Sequence, residues 1–289
     1  MSEPVLTTVT RTQGANRALK DGTVTPAGFT MKFEEIPVLV KGFRRMVRSL
    51  EFDVSEMALT THLLAHHYKK PITALPIPLW RRLHHSNLVC AANAAVAGPA
   101  DLQGKKVGVR AYSQTTGVWI RGILGSQYRV DLNKVTWVTM EDAHVAEYQD
   151  PPNAVRNTGS KGLRDLLLAG ELVAIMGERD VDPANIRPVI PDAEAAAERW
   201  SRDTGIFPVN HVVSVRNDLL QQHPWLADEL MRLFEAARLK SGAKGAAALP
   251  YGLEPNRAAM QMLLDFAADQ RLTPRTYRVD ELFVKAPSR

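Results

Sequence analysis

Short runs of branched and aromatic residues alternate along the chain with longer stretches whose apolar residues recur at helical spacing. The first part of the pattern predicts strands at residues 5–10, 30–33, 52–54 and 72–77, with helices at 37–50 and 58–68. Strands that alternate with helices in this way are typical of βαβ units. The N-terminal part therefore has the pattern of an α/β fold.

A second series of the same kind follows. It predicts strands at residues 106–109, 135–138 and 173–176, with helices at 115–124, 161–168 and 193–203. A second parallel sheet is the simplest account of this series. The polar stretch at residues 150–162, which contains Pro and Gly, predicts a mobile loop.

The last part of the pattern returns to a strand and then becomes helical. A strand is predicted at residues 211–215, and helices are predicted at 217–223, 225–241 and 255–268. At 289 residues the chain is long for a single core, so two lobes or one large α/β domain are the leading architectures.

Charge and composition narrow the classes of partner. The hydrophobic share is 45% and the charged share 23%, which is typical of a globular protein. The net charge is +5, but the basic residues are interleaved with acidic ones rather than clustered. A nucleic-acid partner is therefore not expected, and the charge favours small anionic ligands.

The lone cysteine and the N-terminus bear on the compartment. Cys90 lies in an apolar run at residues 87–92, and we expect it to be a buried core residue. Residues 1–7 lack the basic and apolar regions of an export signal, and no stretch approaches a membrane span. These features predict a cytoplasmic protein with no membrane partner.

Three phrases together resemble the type II periplasmic-binding-protein superfamily. They are DLQGKKVGV at residues 101–109, LLAGELVA at 167–174, and RNDL at 216–219 followed by HPWL at 223–226. The resemblance implies two α/β lobes with a ligand cleft between them. The first lobe is expected to comprise residues 1–90 and 207–289, and the second lobe residues 91–206.

More specific phrases, spread over nearly the whole chain, resemble 4,5-dihydroxyphthalate decarboxylase. They are EFDVSEM at residues 51–57, Arg81 with His85-Ser86, VWIRGIL at 118–124, TGIFP at 204–208 with His211, and YGLEPNR at 251–257. The resemblance implies decarboxylation of 4,5-dihydroxyphthalate to protocatechuate, a cytoplasmic location and a homo-oligomer.

The chain departs from that family at two places. It has TQGA at residues 12–15 where the family has an Asp-Tyr-Asp-Arg run, and His84 where the family has Arg. Two alternatives therefore stay open: the protein acts on a related aromatic acid, or it only binds its ligand.

A small aromatic carboxylate is the expected partner, and Arg suits it because the guanidinium binds a carboxylate through two parallel hydrogen bonds. The candidates are Arg81, Arg121 and Arg179. Residues 110–117 lead from a strand into a helix, whose start offers N–H groups to an anion. The further candidate ligand contacts are Tyr112, Gln114, Thr115, Thr116, Ser55 and Ser86. Side chains at the helix start can equally serve as caps, and Arg121 can equally be an ion-paired helix residue.

Decarboxylation of a hydroxylated aromatic acid requires a proton at the ring carbon that carries the carboxylate. No organic cofactor is expected, because the ring itself accepts the electron pair. His is the side chain best suited to deliver a proton near neutral pH. His85 and His211 are the two candidates, and a hydrogen-bonded structural role is the alternative for each.

Other chemistry is less well supported. His62 and His66 have the i, i+4 spacing of zinc ligands, but the Glu of a zincin is missing between them. A half-exposed helix face explains this pair, and no metal is predicted there or at His84 and His85. No Gly-rich phosphate loop and no Gly-x-Ser-x-Gly turn occurs. An enzyme, a solute receptor for an importer and, less well supported, a ligand-sensing module remain as alternatives.

Overall fold

The structure, a computed structural model, describes residues 3–177, 182–245 and 248–284 and divides them into two compact units. The first unit holds residues 3–81, 209–261 and 277–284. The second unit holds residues 82–177, 182–208 and 262–276.

The strands are β1 (Val5–Val9), β2 (Thr30–Phe33), β3 (Val54–Ala58), β4 (Ile72–Arg81), β5 (Leu88–Ala91), β6 (Lys106–Val109), β7 (Thr136–Thr139), β8 (Ala154–Arg156), β9 (Ala174–Met176), β10 (Ile186–Pro188) and β11 (Val209–Arg216). The α-helices are α1 (Arg17–Lys20), α2 (Leu39–Ser49), α3 (Leu59–His67), α4 (Thr115–Tyr128), α5 (Leu163–Leu168), α6 (Ala193–Thr204), α7 (Asn217–Gln222), α8 (Leu226–Lys240), α9 (Arg257–Asp269) and α10 (Val279–Leu282).

The sheet of the first unit has the strand order β2-β1-β3-β11-β4. β1 runs parallel to β2 and β3, whereas β11 runs antiparallel to β3 and β4. β3 is buried at every position and β11 at all but its last, as expected for central strands covered on both faces. The amphipathic helices α2 and α8 bury apolar residues at helical spacing, such as Phe43 and Val47 in α2 and Leu230 and Phe234 in α8.

The edge strand β4 has an irregular register that bears on the candidate site. It contains Pro76 and Pro78, which have no N–H to donate and are therefore tolerated at a sheet edge. Its pairing with β11 shifts on both sides of His211, and the shifted register sets His211 opposite Trp80. Bulges of this kind re-aim side chains, often beside functional sites.

The sheet of the second unit has the strand order β10-β5-β9-β6-β7-β8. β9, β6, β7 and β8 are parallel, and β5 runs antiparallel to its neighbours β9 and β10. The predicted second parallel sheet is therefore correct for its larger part only. Cys90 is buried in β5, as predicted.

Two local predictions were wrong, and one strand that takes part in the second sheet was missed. The strand expected at residues 52–54 is β3, which begins at Val54 and continues to Ala58, because the whole run is buried between two neighbouring strands. The expected loop at 150–162 contains β8, which pairs with β7 at the edge of the second sheet. The short strand β10, which pairs with β5, was not predicted.

The division into units differs from the predicted lobes at residues 82–90, 207–208 and 262–276. Residues 82–90 join the second unit because β5 hydrogen-bonds into its sheet. Residues 262–276 also join it, because Phe266 packs on Gly122 and Gln270 bonds to Arg121. A Cβ on Gly122 would come within 2.0 Å of the Phe266 ring, so this close packing requires glycine. Within the described ranges, no helix is long and apolar enough to cross a membrane.

Candidate active site

A buried histidine and a buried glutamate form a hydrogen-bonded pair in the first unit. His211 lies on β11 and Glu56 on β3, and the antiparallel pairing of these strands brings them together. Nδ1 of His211 is 2.6 Å from Oε1 of Glu56. His211 is 6% exposed and Glu56 is 1% exposed. The second carboxylate oxygen of Glu56 accepts a hydrogen bond from the backbone N–H of Arg11 at 2.9 Å.

Two aromatic rings fix the plane of the His211 imidazole. The Trp80 ring lies 4.8 Å and the Phe43 ring 5.2 Å from it, both at steep angles. Because Nδ1 faces Glu56, the proton on that nitrogen is directed at the carboxylate, and Nε2 makes no hydrogen bond with the described residues. The pair therefore has the arrangement of a general acid or base that a carboxylate orients.

A cavity of about 280 Å³ lies beside Trp80 in the same unit. Arg81, at the end of β4, lines this cavity together with Trp80. Burial lowers the pKa of the Arg81 guanidinium, which shows that the cation pays a desolvation cost where it stands. An anion bound in the cavity would offset that cost. The structure thus places Arg81, as a predicted ligand contact, at a cavity.

The second unit carries another polar cluster, at the start of α4. Gln114 is the N-cap residue, and its side chain makes no capping hydrogen bond. Thr115 and Thr116 are buried, and Thr116 Oγ1 lies 3.3 Å from a guanidinium nitrogen of Arg82. Gln114 Oε1 is buried without a hydrogen-bond partner. This helix start therefore keeps the polar character expected of an anion site.

Two predicted ligand contacts prove to be internal braces of the second unit. Arg121 is fully buried, and it donates to Gln270 Oε1 at 2.7 Å and to the Tyr112 carbonyl at 2.6 Å. Its guanidinium carbon lies 3.9 Å from the centre of the Tyr112 ring. Burial lowers the pKa of Arg121, and nearby Tyr112 and Tyr148 counteract this effect. The Tyr112 hydroxyl donates to the Gln270 carbonyl, so both side chains are hydrogen-bonded within the second unit, while Nη1 of Arg121 is buried without a hydrogen-bond partner.

The two histidine candidates have different surroundings. His85 is buried in the second unit, where its Nε2 lies 2.9 Å from Gln127 Oε1 and its ring contacts Trp200. Burial lowers the pKa of His85, against an opposing effect of the Gln127 hydrogen bond. The neighbouring His84 is also buried and stacks on Trp119. Of the two candidates, only His211 has a carboxylate partner among the described residues.

The remaining predicted contacts do not join these clusters. Ser55 is fully buried inside β3, and its hydroxyl donates to the Glu56 carbonyl at 2.7 Å. The predicted strand at residues 52–54 would place Ser55 just after the strand end. Ser55 instead lies inside the strand, which continues to Ala58. Ser86 is exposed and lines a groove beside the start of α6 rather than the start of α4. Arg179 lies outside the described residues.

The predicted half-exposed histidine face of α3 is also wrong for His62, which is fully buried. Its Nε2 bonds to the Leu282 carbonyl at 3.1 Å, and its Nδ1 lies 3.0 Å from the Ser214 hydroxyl. Both ring nitrogens are therefore committed to the protein. Throughout the described part of the chain, no three His, Cys, Asp or Glu side chains are grouped so that they could hold a metal ion.

His62 gives the protein an acid-sensitive stability. Burial lowers its pKa from 6.5 to about 4, so between these values the unfolded chain binds a proton that the folded chain does not. The free energy of unfolding should therefore fall, through His62 alone, by about 1 kcal/mol between pH 6 and pH 5. Urea unfolding of the parent and of His62→Gln at both pH values measures this difference. Equal pH slopes for the two proteins would contradict it.

Sequence reasoning missed several residues of these clusters. Glu56 and Trp80 are adjacent to predicted contacts, but only the register of β3, β11 and β4 shows that they meet His211. Arg82 directly follows Arg81 but belongs to the second unit, where its guanidinium contacts Thr116. The only sequence signal for these missed residues was therefore their position next to a predicted ligand contact.

Comparisons with known proteins bear on the identity of the chain. It is 28% identical over 215 residues to 4,5-dihydroxyphthalate decarboxylase of Comamonas testosteroni, a match that covers 68% of this chain and 63% of that protein. It is 26% identical over 173 residues to 4,5-dihydroxyphthalate decarboxylase of Pseudomonas putida, which covers 55% of this chain and 67% of that protein. The predicted resemblance to 4,5-dihydroxyphthalate decarboxylase is confirmed. The chain thus spans less than two thirds of the Comamonas relative, and no family model matches it.

Solved structures define the fold. The periplasmic aliphatic sulphonate binding protein SsuA of Escherichia coli matches with a TM-score of 0.60 at 12% identity, over 98% of this chain and 93% of that one. SsuA of Xanthomonas axonopodis pv. citri, bound to MOPS, gives 0.59 at 13% identity, over 99% and 100%. The desulfurization enzyme DSZB gives 0.54 at 15% identity, over 97% and 96%. The chain has the fold that these periplasmic binding proteins share with the desulfurization enzyme.

Proposed function

We propose that this protein decarboxylates a hydroxylated aromatic dicarboxylate, with 4,5-dihydroxyphthalate as substrate and protocatechuate as product. The observation that carries the proposal is the buried pair of His211 and Glu56, whose His211 ring contacts Trp80, a residue that lines a cavity together with Arg81. Two relatives named 4,5-dihydroxyphthalate decarboxylase support the choice of substrate.

The chemistry needs one proton and no oxidant or reductant. A hydroxyl para to the leaving carboxylate feeds electron density into the ring, and the ring carbon that carries the carboxylate takes the proton. The bond to the carboxylate then breaks, carbon dioxide leaves, and its electron pair restores the aromatic ring. A proton from solvent afterwards restores the acid.

His211 has the geometry to supply that proton. Glu56 holds Nδ1, so Nε2 is the nitrogen that exchanges a proton with the substrate. Trp80 contacts the His211 ring and also lines the cavity, which links the acid to the binding site within one unit. The expectation that the ligand lies in a cleft between two lobes stays a prediction.

Arg81 is proposed to hold the carboxylate that the product retains. Arg81 lines the cavity, and burial lowers the pKa of its guanidinium, so a bound carboxylate would restore interactions that water would otherwise provide. The affinity gained from such a charge-assisted contact should therefore depend on how many carboxylates the ligand carries.

Replacing Arg81 with Ala should therefore weaken binding of dicarboxylated ligands far more than binding of monocarboxylated ones, by about 2 kcal/mol or more. Calorimetric titration of the parent and Arg81→Ala with phthalate and with benzoate measures the difference. Equal losses for both ligands would show that Arg81 does not read a second carboxylate.

The alternative function is that of a receptor that binds an aromatic carboxylate without converting it. The fold is shared with sulphonate-binding proteins, but the chain is similar in sequence to decarboxylases. Release of carbon dioxide from 4,5-dihydroxyphthalate by the purified protein distinguishes the two, because a receptor leaves the ligand unchanged.

A further inference from the structure

The cavity beside Trp80 has a second wall, to which the proposed reaction gives no role. This wall forms where the end of α8 lies beside the short 3₁₀ turn that follows β1. Arg238 and Ser241 come from the helix end, and Gln13 comes from the start of the turn. Sequence reasoning singled out neither Arg238 nor Ser241, and it noted Gln13 only as part of the run at residues 12–15 that departs from the decarboxylase pattern.

The wall is rich in hydrogen-bond donors. Nε of Arg238 and the side-chain amide nitrogen of Gln13, Nε2, are buried, and neither atom has a hydrogen-bond partner. A buried donor without a partner costs free energy that a ligand oxygen can recover. Of the described residues that line the cavity, two are arginines and none is acidic. The lining therefore favours an anion.

Arg238 is not neutralised elsewhere. Its ion-pair partner, Glu235 on the same helix, is 3.8 Å away and 48% exposed, and a long pair at the surface contributes little. The Arg238 side chain itself is 21% exposed, and its guanidinium carbon lies 5.7 Å from the centre of the Tyr251 ring. The aromatic ring holds the side chain in place and leaves its donors available.

Small residues leave room in front of these donors. A Cβ added to Gly14 would lie 3.9 Å from Ser241 Cβ, and Ala15, Ala243 and Ala248 complete the small-residue lining. A cavity of about 150 Å³ is enough for benzene. At about 280 Å³, this cavity has room for a benzene ring with two carboxylates.

We infer that Arg238, together with the amide of Gln13, forms a second carboxylate subsite in this cavity. One carboxylate of the ligand binds Arg81 and the other binds Arg238, so the pair of arginines selects dicarboxylated rings over monocarboxylated ones. The inference rests on the proposed function for the class of ligand, an aromatic carboxylate. Arg238 is thus a residue that determines specificity and takes no part in proton transfer.

The test measures affinity for phthalate and for benzoate by calorimetry in the parent and in Arg238→Gln. Phthalate should bind at least about tenfold more weakly to the variant, whereas benzoate, which can still use Arg81, should lose less than about threefold. Arg238→Lys should retain part of the preference because it keeps the charge. Arg232→Gln is the matched control, since Arg232 lies on the same helix, pairs with Glu229 and does not line the cavity.

Two results would overturn the inference: a parent that binds phthalate no more tightly than benzoate, or an Arg238→Gln variant that loses affinity equally for both ligands. If Arg238→Gln does not fold, Ala15→Leu replaces it, because Ala15 lines the cavity from the 3₁₀ turn and a larger side chain there fills part of the space. Ala15→Leu should weaken phthalate binding at least about tenfold, and unchanged affinity would contradict the site. The affinity measurement does not depend on turnover. A parent that binds phthalate more tightly than benzoate, but releases no carbon dioxide from 4,5-dihydroxyphthalate, would therefore refute the proposed function and leave this inference intact.

Discussion

His211→Gln is expected to lower the rate of carbon dioxide release at least about a hundredfold while it changes ligand affinity less than about tenfold. Gln keeps much of the size and polarity of His but cannot deliver a proton. The loss should therefore fall on turnover, because Nε2 of His211 is the nitrogen left available for the substrate. The measurement is carbon dioxide release and ligand affinity for the parent and the variant at several pH values.

His85→Gln is the matched control. His85 is buried against Gln127 and Trp200, so its replacement should affect stability and binding together rather than turnover alone. A variant His85→Gln that separates rate from affinity, beside a His211→Gln that does not, would reverse the assignment of the acid. If neither variant separates them in an active parent, the proton comes from another group.

Glu56→Gln is expected to lower turnover at least about a hundredfold as well, although Glu56 does not contact the substrate in this proposal. The amide of Gln can offer its N–H to Nδ1 of His211, which keeps the ring neutral and removes the carboxylate that stabilises the imidazolium, so Nε2–H becomes a much weaker acid. Glu56 is thus a positioning residue. The pH profile of turnover should change with it, and Glu56→Asp should recover part of the rate because a carboxylate is retained.

Asp53→Asn is the control for a general loss of buried charge. Asp53 lies on the same segment of the first unit and pairs with Arg216 at 3.3 Å, away from His211. Its replacement should lower stability without altering the pH profile. A Glu56→Gln variant that loses stability to the same extent, yet keeps the parent turnover and pH profile, would show that the pair of His211 and Glu56 is structural only.

Local pattern was sufficient to predict the elements whose burial follows their own periodicity. The bounds of β2 and β6 are those expected from their runs of residues, and α4, α6 and α8 lie within a few residues of the prediction. The order of the strands was not predictable, because it depends on which hydrophobic faces meet after folding. The same limit applies to residues 262–276, since the periodicity of α9 is unbroken while Phe266 packs on Gly122.

The candidate site was harder to predict than the fold. Arg81 and Arg121 look alike in the sequence, but one lines a cavity and the other is sealed inside the second unit. Ser55 and Glu56 are adjacent, and it is the register of β3 with β11 that directs Glu56 to His211. Arg238 looks like an ordinary charged residue of an amphipathic helix. Burial and long-range register, rather than residue type, decide these roles.

The most direct measurement of the central claim is the release of carbon dioxide when the purified protein is incubated with 4,5-dihydroxyphthalate. The account predicts one carbon dioxide and one protocatechuate for each substrate consumed, without an added oxidant, and a much slower release by His211→Gln. Tight binding of 4,5-dihydroxyphthalate and of related hydroxylated phthalates, with every ligand recovered unchanged, would contradict the account and identify a receptor.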